Sequence, residues 1–177
     1  GGFSYAPAGF GRGAVTVDHR RCDRILSFDE EAGEVECEAG TTLGGLHAFL
    51  GPSGFYLPVQ PGYPGITVGG CIAADVHGKN QYRDGTFRAR VRSLRLYHPR
   101  HGEVEASRER NVEAFELTCG GLGLTGSILS ATLRAARLPA RRIEMARRPL
   151  AAFGGVLEAL EAAAAAADFL YTWHDVT

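Results

Sequence analysis

Lysine is almost missing from this chain: of 19 basic residues only Lys79 is a lysine, and the formal net charge is −1. A chain without a positive surplus lacks the charge on which general nucleic-acid binding rests, so no nucleic-acid partner is expected. No run of 18 or more uncharged apolar residues occurs, so no membrane span is expected either. The four cysteines, Cys22, Cys37, Cys71 and Cys119, have spacings that match no zinc or iron–sulfur pattern, and they read as reduced core residues. The six histidines form no HExxH or other metal pair, so no metal site is expected. There is no Walker A sequence, and Ser4 and Ser127 lack a nucleophile-elbow context. No initiator Met, basic region or apolar run precedes Gly1, so a signal peptide is neither shown nor excluded.

What is present is enough for a core. The chain has 177 residues, 45% of them hydrophobic, which suits one or two small domains. Its 24 glycines follow no Gly-X-Y period and point to tight turns and close backbone approaches. Residues 1–13 read as a glycine-rich loop. Strands are expected at 14–17, 25–28 and 35–39, the last from its period-two alternation. Thr41 or Thr42 caps a helix over 43–50, with Leu43, Leu46, His47 and Leu50 on one face. A short Gly- and Ala-rich helix is expected over 67–74. A hairpin is expected from 91–97 and 103–107, a helix over 113–119 and a strand over 128–133. Beyond Pro139 the pattern predicts a strand around 143–145, a helix over 150–167 and a strand over 169–173, with Trp173 most simply a core residue. The order is α+β, with a junction between Pro139 and Pro149. Residues 83–110 carry eight arginines against four acids, which reads first as a solvated, salt-bridged face.

Three stretches concentrate chemistry. Gly1-Gly2-Phe3-Ser4-Tyr5 lets consecutive amides turn toward a phosphate, though by itself it is a plain glycine-rich loop. Thr67-Val68-Gly69-Gly70 joins a cap residue to two glycines, a helix start that a diphosphate can approach, though as a lone pattern it is more often a packing helix than a ligand site. Asp75-Val76-His77-Gly78-Lys79-Asn80 sets the sole lysine two residues from a histidine. It is either a surface turn or a ligand-facing one, with His77 as hydrogen-bond donor or partial base and Lys79 as a fixed positive charge for a developing anion. Residues 120–126 supply four glycines that turn the backbone, and Tyr171, Trp173, His174 and Asp175 gather aromatic and polar groups near the end.

The series Ser4-Tyr5, Val35-Glu36-Cys37-Glu38-Ala39-Gly40, Pro61-Gly62, Thr67-Val68-Gly69-Gly70, Ala73-Ala74-Asp75-Val76-His77-Gly78-Lys79-Asn80 and Gly121-Leu122-Gly123-Leu124-Thr125-Gly126 resembles the vanillyl-alcohol oxidase, or PCMH-type, FAD-binding family. Within it the likeness is nearest to the decaprenylphosphoryl-β-D-ribose 2′-oxidase-like sugar and alditol oxidoreductases. The resemblance implies a partial PCMH-type FAD-binding domain over 1–138, incomplete at its N-terminus, and the start of a substrate domain over 139–177. It makes the chain a middle piece of a longer protein, or a shortened version of one. It implies that Gly2, Ser4 and Tyr5 belong to the pyrophosphate loop. Gly62, Thr67, Val68, Gly69 and Gly70 would lie around the FAD diphosphate and ribose. Ala74, Asp75, Val76 and His77 would run beside the flavin, with His77 and Lys79 on the substrate side, and Ile128 would approach the adenine portion. Phe3 stands where many relatives carry the histidine that bonds flavin covalently, so the FAD is expected to be non-covalent.

The function so implied is transfer of hydride from a sugar, polyol or lipid-linked sugar hydroxyl carbon to flavin. The partner is then a small sugar or polyol, or a lipid-phosphate sugar, and the electron acceptor is left open. The location so implied is cytoplasmic, with peripheral membrane association through a lipid substrate. The alternative is a non-catalytic FAD-binding or residual scaffold fragment.

Overall fold

A computed structural model describes residues 2–4, 11–13, 15–140 and 142–174. Its central strand is β6 (Ser127–Arg134), which pairs antiparallel on one side with β2 (Glu34–Glu38) and on the other with β4 (Val91–His98). The hairpin partners β1 (Ile25–Asp29) and β5 (Gly102–Ser107) close the edges, giving the order β1-β2-β6-β4-β5. Alternation sets the buried face. Val35 and Cys37 of β2 are buried opposite Leu133 and Ala131 of β6, and Leu94 of β4 is buried opposite the same Ala131. A second, two-stranded ribbon joins β3 (Phe55–Tyr56) to β7 (Ala136–Arg137).

Helices cover the buried face. In α1 (Leu43–Leu50) the side chain of Thr42 accepts from the Gly45 amide, and Leu43, Leu46 and Leu50 turn inward. In α2 (Val68–Ala73) Thr67 caps in the same way through Gly70, and Val68, Cys71 and Ile72 are buried. The remaining elements are α3 (Gln81–Asp84), a 3-10 turn at Phe87–Arg90, α4 (Val112–Thr118) and α5 (Val156–Ala164). Among the described residues no helix is long and apolar enough to cross a membrane.

Several expectations are corrected. Residues 15–17 form no strand, and Val15 and Val17 are exposed: strand propensity is expressed where a side chain packs on a half-buried sheet surface, and these two side chains are not so packed. Ala14 lies outside the described residues. Residues 143–145 and 169–173 are irregular as well, and Trp173 is 88% exposed, far from a core position. The helix expected over 150–167 is regular only in α5, preceded by a 3-10 turn at Phe153–Gly155. Gly154 and Gly155 account for the late start, because glycine forfeits the most backbone freedom in a helix. Three cysteines are buried as expected, but Cys22 is exposed. The arginines of 83–110 are largely paired, with Asp75, Asp84, Glu34, Glu103, Glu105, Glu109, Glu116 and Asp168 as partners.

One ion pair gives the fold a pH signature. The Glu38 carboxylate accepts from the Arg24 amide at 2.9 Å and from its guanidinium at 2.7 Å. The side-chain hydrogen bond from Arg24 is the main cause that lowers the Glu38 pKa from 4.5 to about 2. A lowered folded-state pKa contributes stability that is present above 4.5 and is lost as pH falls toward 2. In thermal melts, Glu38→Gln should therefore be less stable than wild type at neutral pH, with the gap closing through that window. A gap independent of pH would remove Glu38 from the acid response.

Candidate functional site

The two capped helix starts are interlocked. Thr42 and Thr67 form an antiparallel bridge. The amide of Leu43 donates to Ile66 O and that of Gly44 to Pro64 O, while Val68 donates to Thr41 O and Gly69 to Ala39 O. With Gly45 and Gly70 held by the threonine hydroxyls, the first-turn amides of both helices are consumed within the protein. This changes the reading of Thr67-Val68-Gly69-Gly70 as a helix end offering free amides to a diphosphate. The glycine at 69 answers to packing, since a β-carbon there would sit 2.9 Å from that of Ala39. Val68 is itself fully buried.

Beside this lock lies a cavity of about 240 Å³, lined by Phe3, Arg20, Asp23, Gly40, Thr41, Thr42, Gly45, Gly65 and Thr67. Phe3 rests against Tyr63, with ring centroids 4.7 Å apart, and makes an aromatic wall. The amide of Gly65 in the cavity lining, and that of Gly62 outside it but near in sequence, donate to no acceptor among the described residues and so remain available to a ligand. The hydroxyls of Thr42 and Thr67 accept from amides and keep their own protons to donate. Arg20 is held by Asp18, and Asp23 adds a carboxylate, so the cavity is not strongly cationic. The donor set fits a phosphate-bearing portion held by neutral donors, and the space is too small for a whole dinucleotide. Gly2 and Ser4 are exposed near this end of the chain, while Tyr5 lies outside the described residues.

The second group follows α2. Asp75 adopts φ 42, the left-handed region that non-glycine residues seldom occupy. Its carboxylate accepts from Arg88 N at 2.9 Å and Arg88 Nε at 2.7 Å. Arg88 also donates to Glu116 at 2.9 Å and to the Cys119 carbonyl. The Asp75 side chain thus serves the turn, and any ligand contact from it must come from its backbone. The Gly-rich 120–122 stretch lies on the same turn, with Gly120 N donating to Ile72 O and Leu122 N to Ala73 O.

From there the chain alternates: His77 and Lys79 are exposed, Gly78 and Asn80 buried. Val76 is anchored by the Phe87 amide, and His77 bridges Thr86. A β-carbon at 78 would sit 2.8 Å from Gln60 O, so glycine is required there. Asn80 donates to Pro58 O at 2.9 Å and to Asp84 at 2.8 Å, and Asp84 is paired with Arg90 at 2.8 Å. A buried polar anchor therefore presents two basic side chains outward. Ala74 is also exposed. Ile128 is not part of this surface: it is 7% exposed, opposite Leu96 within the sheet.

Sequence reasoning singled out His77 and Lys79 but not what surrounds them. The Arg88 hub, the Asn80–Asp84–Arg90 anchor and the aromatic wall of Phe3 and Tyr63 carry no local signal. Neither does the seating of residues 167–171 on this turn, made by Leu170 N donating to Lys79 O at 2.8 Å and by Arg83 pairing with Asp168.

Comparison with known proteins adds the following. The family described as FAD binding domain matches residues 1–107. The decaprenylphosphoryl-beta-D-ribose oxidase of Mycolicibacterium smegmatis is 38% identical over 134 residues, which cover 75% of this chain and 29% of that protein. The mitochondrial D-lactate dehydrogenase [cytochrome] of Arabidopsis thaliana is 33% identical, with 72% of this chain and 23% of that protein covered. A solved structure of an alkyldihydroxyacetonephosphate synthase superposes with a TM-score of 0.61 at 22% identity, over 68% of this chain and 22% of that one, which shows a shared fold. The chain thus spans less than a third of the curated relatives named here.

Proposed function

This chain belongs to the PCMH-type FAD-binding family, and from that membership we propose that it is the cofactor-holding part of an oxidoreductase acting on the hydroxyl-bearing carbon of a sugar or polyol. The proposal divides the chain into a partial FAD-binding domain over 1–138 and the start of a substrate domain over 139–177. The observation that carries it is the rigid turn that turns His77 and Lys79 outward from a buried anchor. FAD, when bound, supplies the acceptor for the substrate's hydride.

This chain's own residues hold and orient. The Gly62 and Gly65 amides with the Thr42 and Thr67 hydroxyls are the donors for the cofactor's phosphates. Phe3 has no atom able to bond the ring, so the cofactor is held without a covalent link. Gly2, Ser4, Ala74 and the Asp75 and Val76 backbones complete the contacts we assign to the cofactor side. On the substrate side His77 accepts or relays the hydroxyl proton, provided the substrate comes within hydrogen-bond reach. Lys79 stabilises the oxygen as it becomes electron-rich. A lipid-phosphate sugar fits the same chemistry and would bring the protein to a membrane surface.

The deciding experiment uses the longest gene product that includes this chain, purified with FAD. Anaerobic addition of a polyol, an aldose or a lipid-phosphate sugar should bleach the flavin absorbance, and acid should release the FAD intact. A flavin that binds but bleaches with none of the three supports a non-catalytic scaffold instead. A flavin that stays on the peptide after acid refutes the non-covalent assignment.

A further inference from the structure

Lys79 has an unusual set of neighbours. Its ammonium lies 3.7 Å from the centroid of the Tyr171 ring. Among the described residues it makes no ion pair, although acids flank it in sequence. Those acids are engaged elsewhere: Asp75 by Arg88, Asp84 by Arg83, Arg90 and Asn80, and Asp168 by Arg83. Among the described residues, arginines thus engage the carboxylates of Asp75, Asp84 and Asp168, and none of the three pairs with the one lysine. What remains is an aromatic face, which attracts a cation without neutralising it.

The ring is itself held in place. Leu170, next in the chain to Tyr171, donates its amide to the Lys79 carbonyl at 2.8 Å. Asp168 is fixed by Arg83, and the Tyr82 hydroxyl donates to the Ala167 carbonyl. Backbone and side chain of Lys79 thus meet the same segment at two points. A lysine stem has four rotatable carbons and much freedom to lose. An aromatic face restrains it while leaving ammonium protons free for an oxygen acceptor.

We propose that Tyr171 is a positioning residue for Lys79: its ring orders the ammonium and leaves it charged and uncompensated, ready for an electron-rich oxygen of the substrate. This rests on the reading of Lys79 as a substrate-side group, and its test separates the two. Because Lys79 is the sole lysine of these 177 residues, this chain labelled with 13C at the lysine ε-carbon gives one ε-CH2 signal, and in the longer gene product the same signal is identified by its loss in Lys79→Arg. In wild type that signal should be shifted upfield by the ring current of Tyr171. Tyr171→Phe should keep the shift, and Tyr171→Leu should lose it while the amide spectrum elsewhere stays folded. A wild-type signal at the free-lysine position, or one unmoved in Tyr171→Leu, overturns the contact.

The second arm measures anaerobic reduction in the FAD-loaded gene product. Tyr171→Leu should slow it by about 2- to 30-fold, with Tyr171→Phe restoring the rate. A shifted lysine signal with unaltered reduction in Tyr171→Leu overturns the positioning role. If Lys79→Ala is itself silent, the substrate-side reading falls and takes the role of Tyr171 with it, while the spectrum still reports whether the contact exists.

Discussion

Replacing Lys79 by alanine should slow reduction of the bound flavin by about 30- to 1000-fold while leaving FAD occupancy close to wild type. The magnitude is that of one lost electrostatic contact to a developing oxyanion, about 2–4 kcal/mol. It belongs to the rate because the charge matters most when the oxygen is most electron-rich. Occupancy should survive because Lys79 is exposed on its turn, while the donors assigned to the cofactor lie at Gly62, Gly65, Thr42 and Thr67. Lys79→Arg should recover only part of the loss, since a broad guanidinium fork does not reproduce a compact ammonium. A lysine that merely faced solvent would change the rate by less than about threefold on removal, about 0.6 kcal/mol. Stopped-flow reduction of equally loaded wild type and variant decides, and equal rates would remove Lys79 from the reaction.

Phe87→Ala should cost about 3–5 kcal/mol of folding stability, a large share of the roughly 5–15 kcal/mol typical of a domain. Phe87 is fully buried at the start of the 3-10 turn that leads into β4. Its amide donates to Val76 O at 2.8 Å, and its neighbour Thr86 bridges His77. The ring is therefore the apolar weight behind the turn that carries His77 and Lys79. Removing it leaves a cavity that the surrounding sheet and helices close only in part. Phe87→Leu, which keeps most of the volume, should lose far less. Urea unfolding of both variants is the measurement; a Phe87→Ala midpoint near wild type would mean that this part of the core collapses freely.

The elements readable in advance are those whose signals are local. Alternation at residues 35–39 marks β2, observed at Glu34–Glu38, and a threonine ahead of glycines and apolar residues marks α1 and α2 to within a residue or two. The motif around Lys79 was visible through composition, because a single lysine among arginines stands out. What could not be read is what depends on partners distant in the chain. Val15 and Val17 have strand propensity, but their side chains are exposed and no strand forms there. Residues 169–173 are aromatic like a strand, yet their backbone is taken by Lys79 rather than by a sheet edge. The engagement of Asp75 by Arg88 also hid in plain view: an aspartate beside a histidine reads as chemistry until an arginine thirteen residues on is seen to claim it. Likewise Gly69 reads as a place for phosphate, and only the nearness of Ala39 shows it as a place for packing.

The position of β6 has a consequence for how the chain comes together in time. Both hairpins, β1–β2 and β4–β5, are local in sequence and can close early. Neither can join the other in one sheet until β6 arrives, because the ladder hydrogen bonds of β2 and β4 meet only on it. During synthesis the inner edges of both hairpins therefore wait, unpaired, until the chain has grown past Arg134. Closing so long a loop is paid in entropy before any contact repays it, which makes insertion of β6 the slow event. A nascent chain halted before Ser127 would hold two ribbons with open edges, and those edges are where it would aggregate or meet a chaperone.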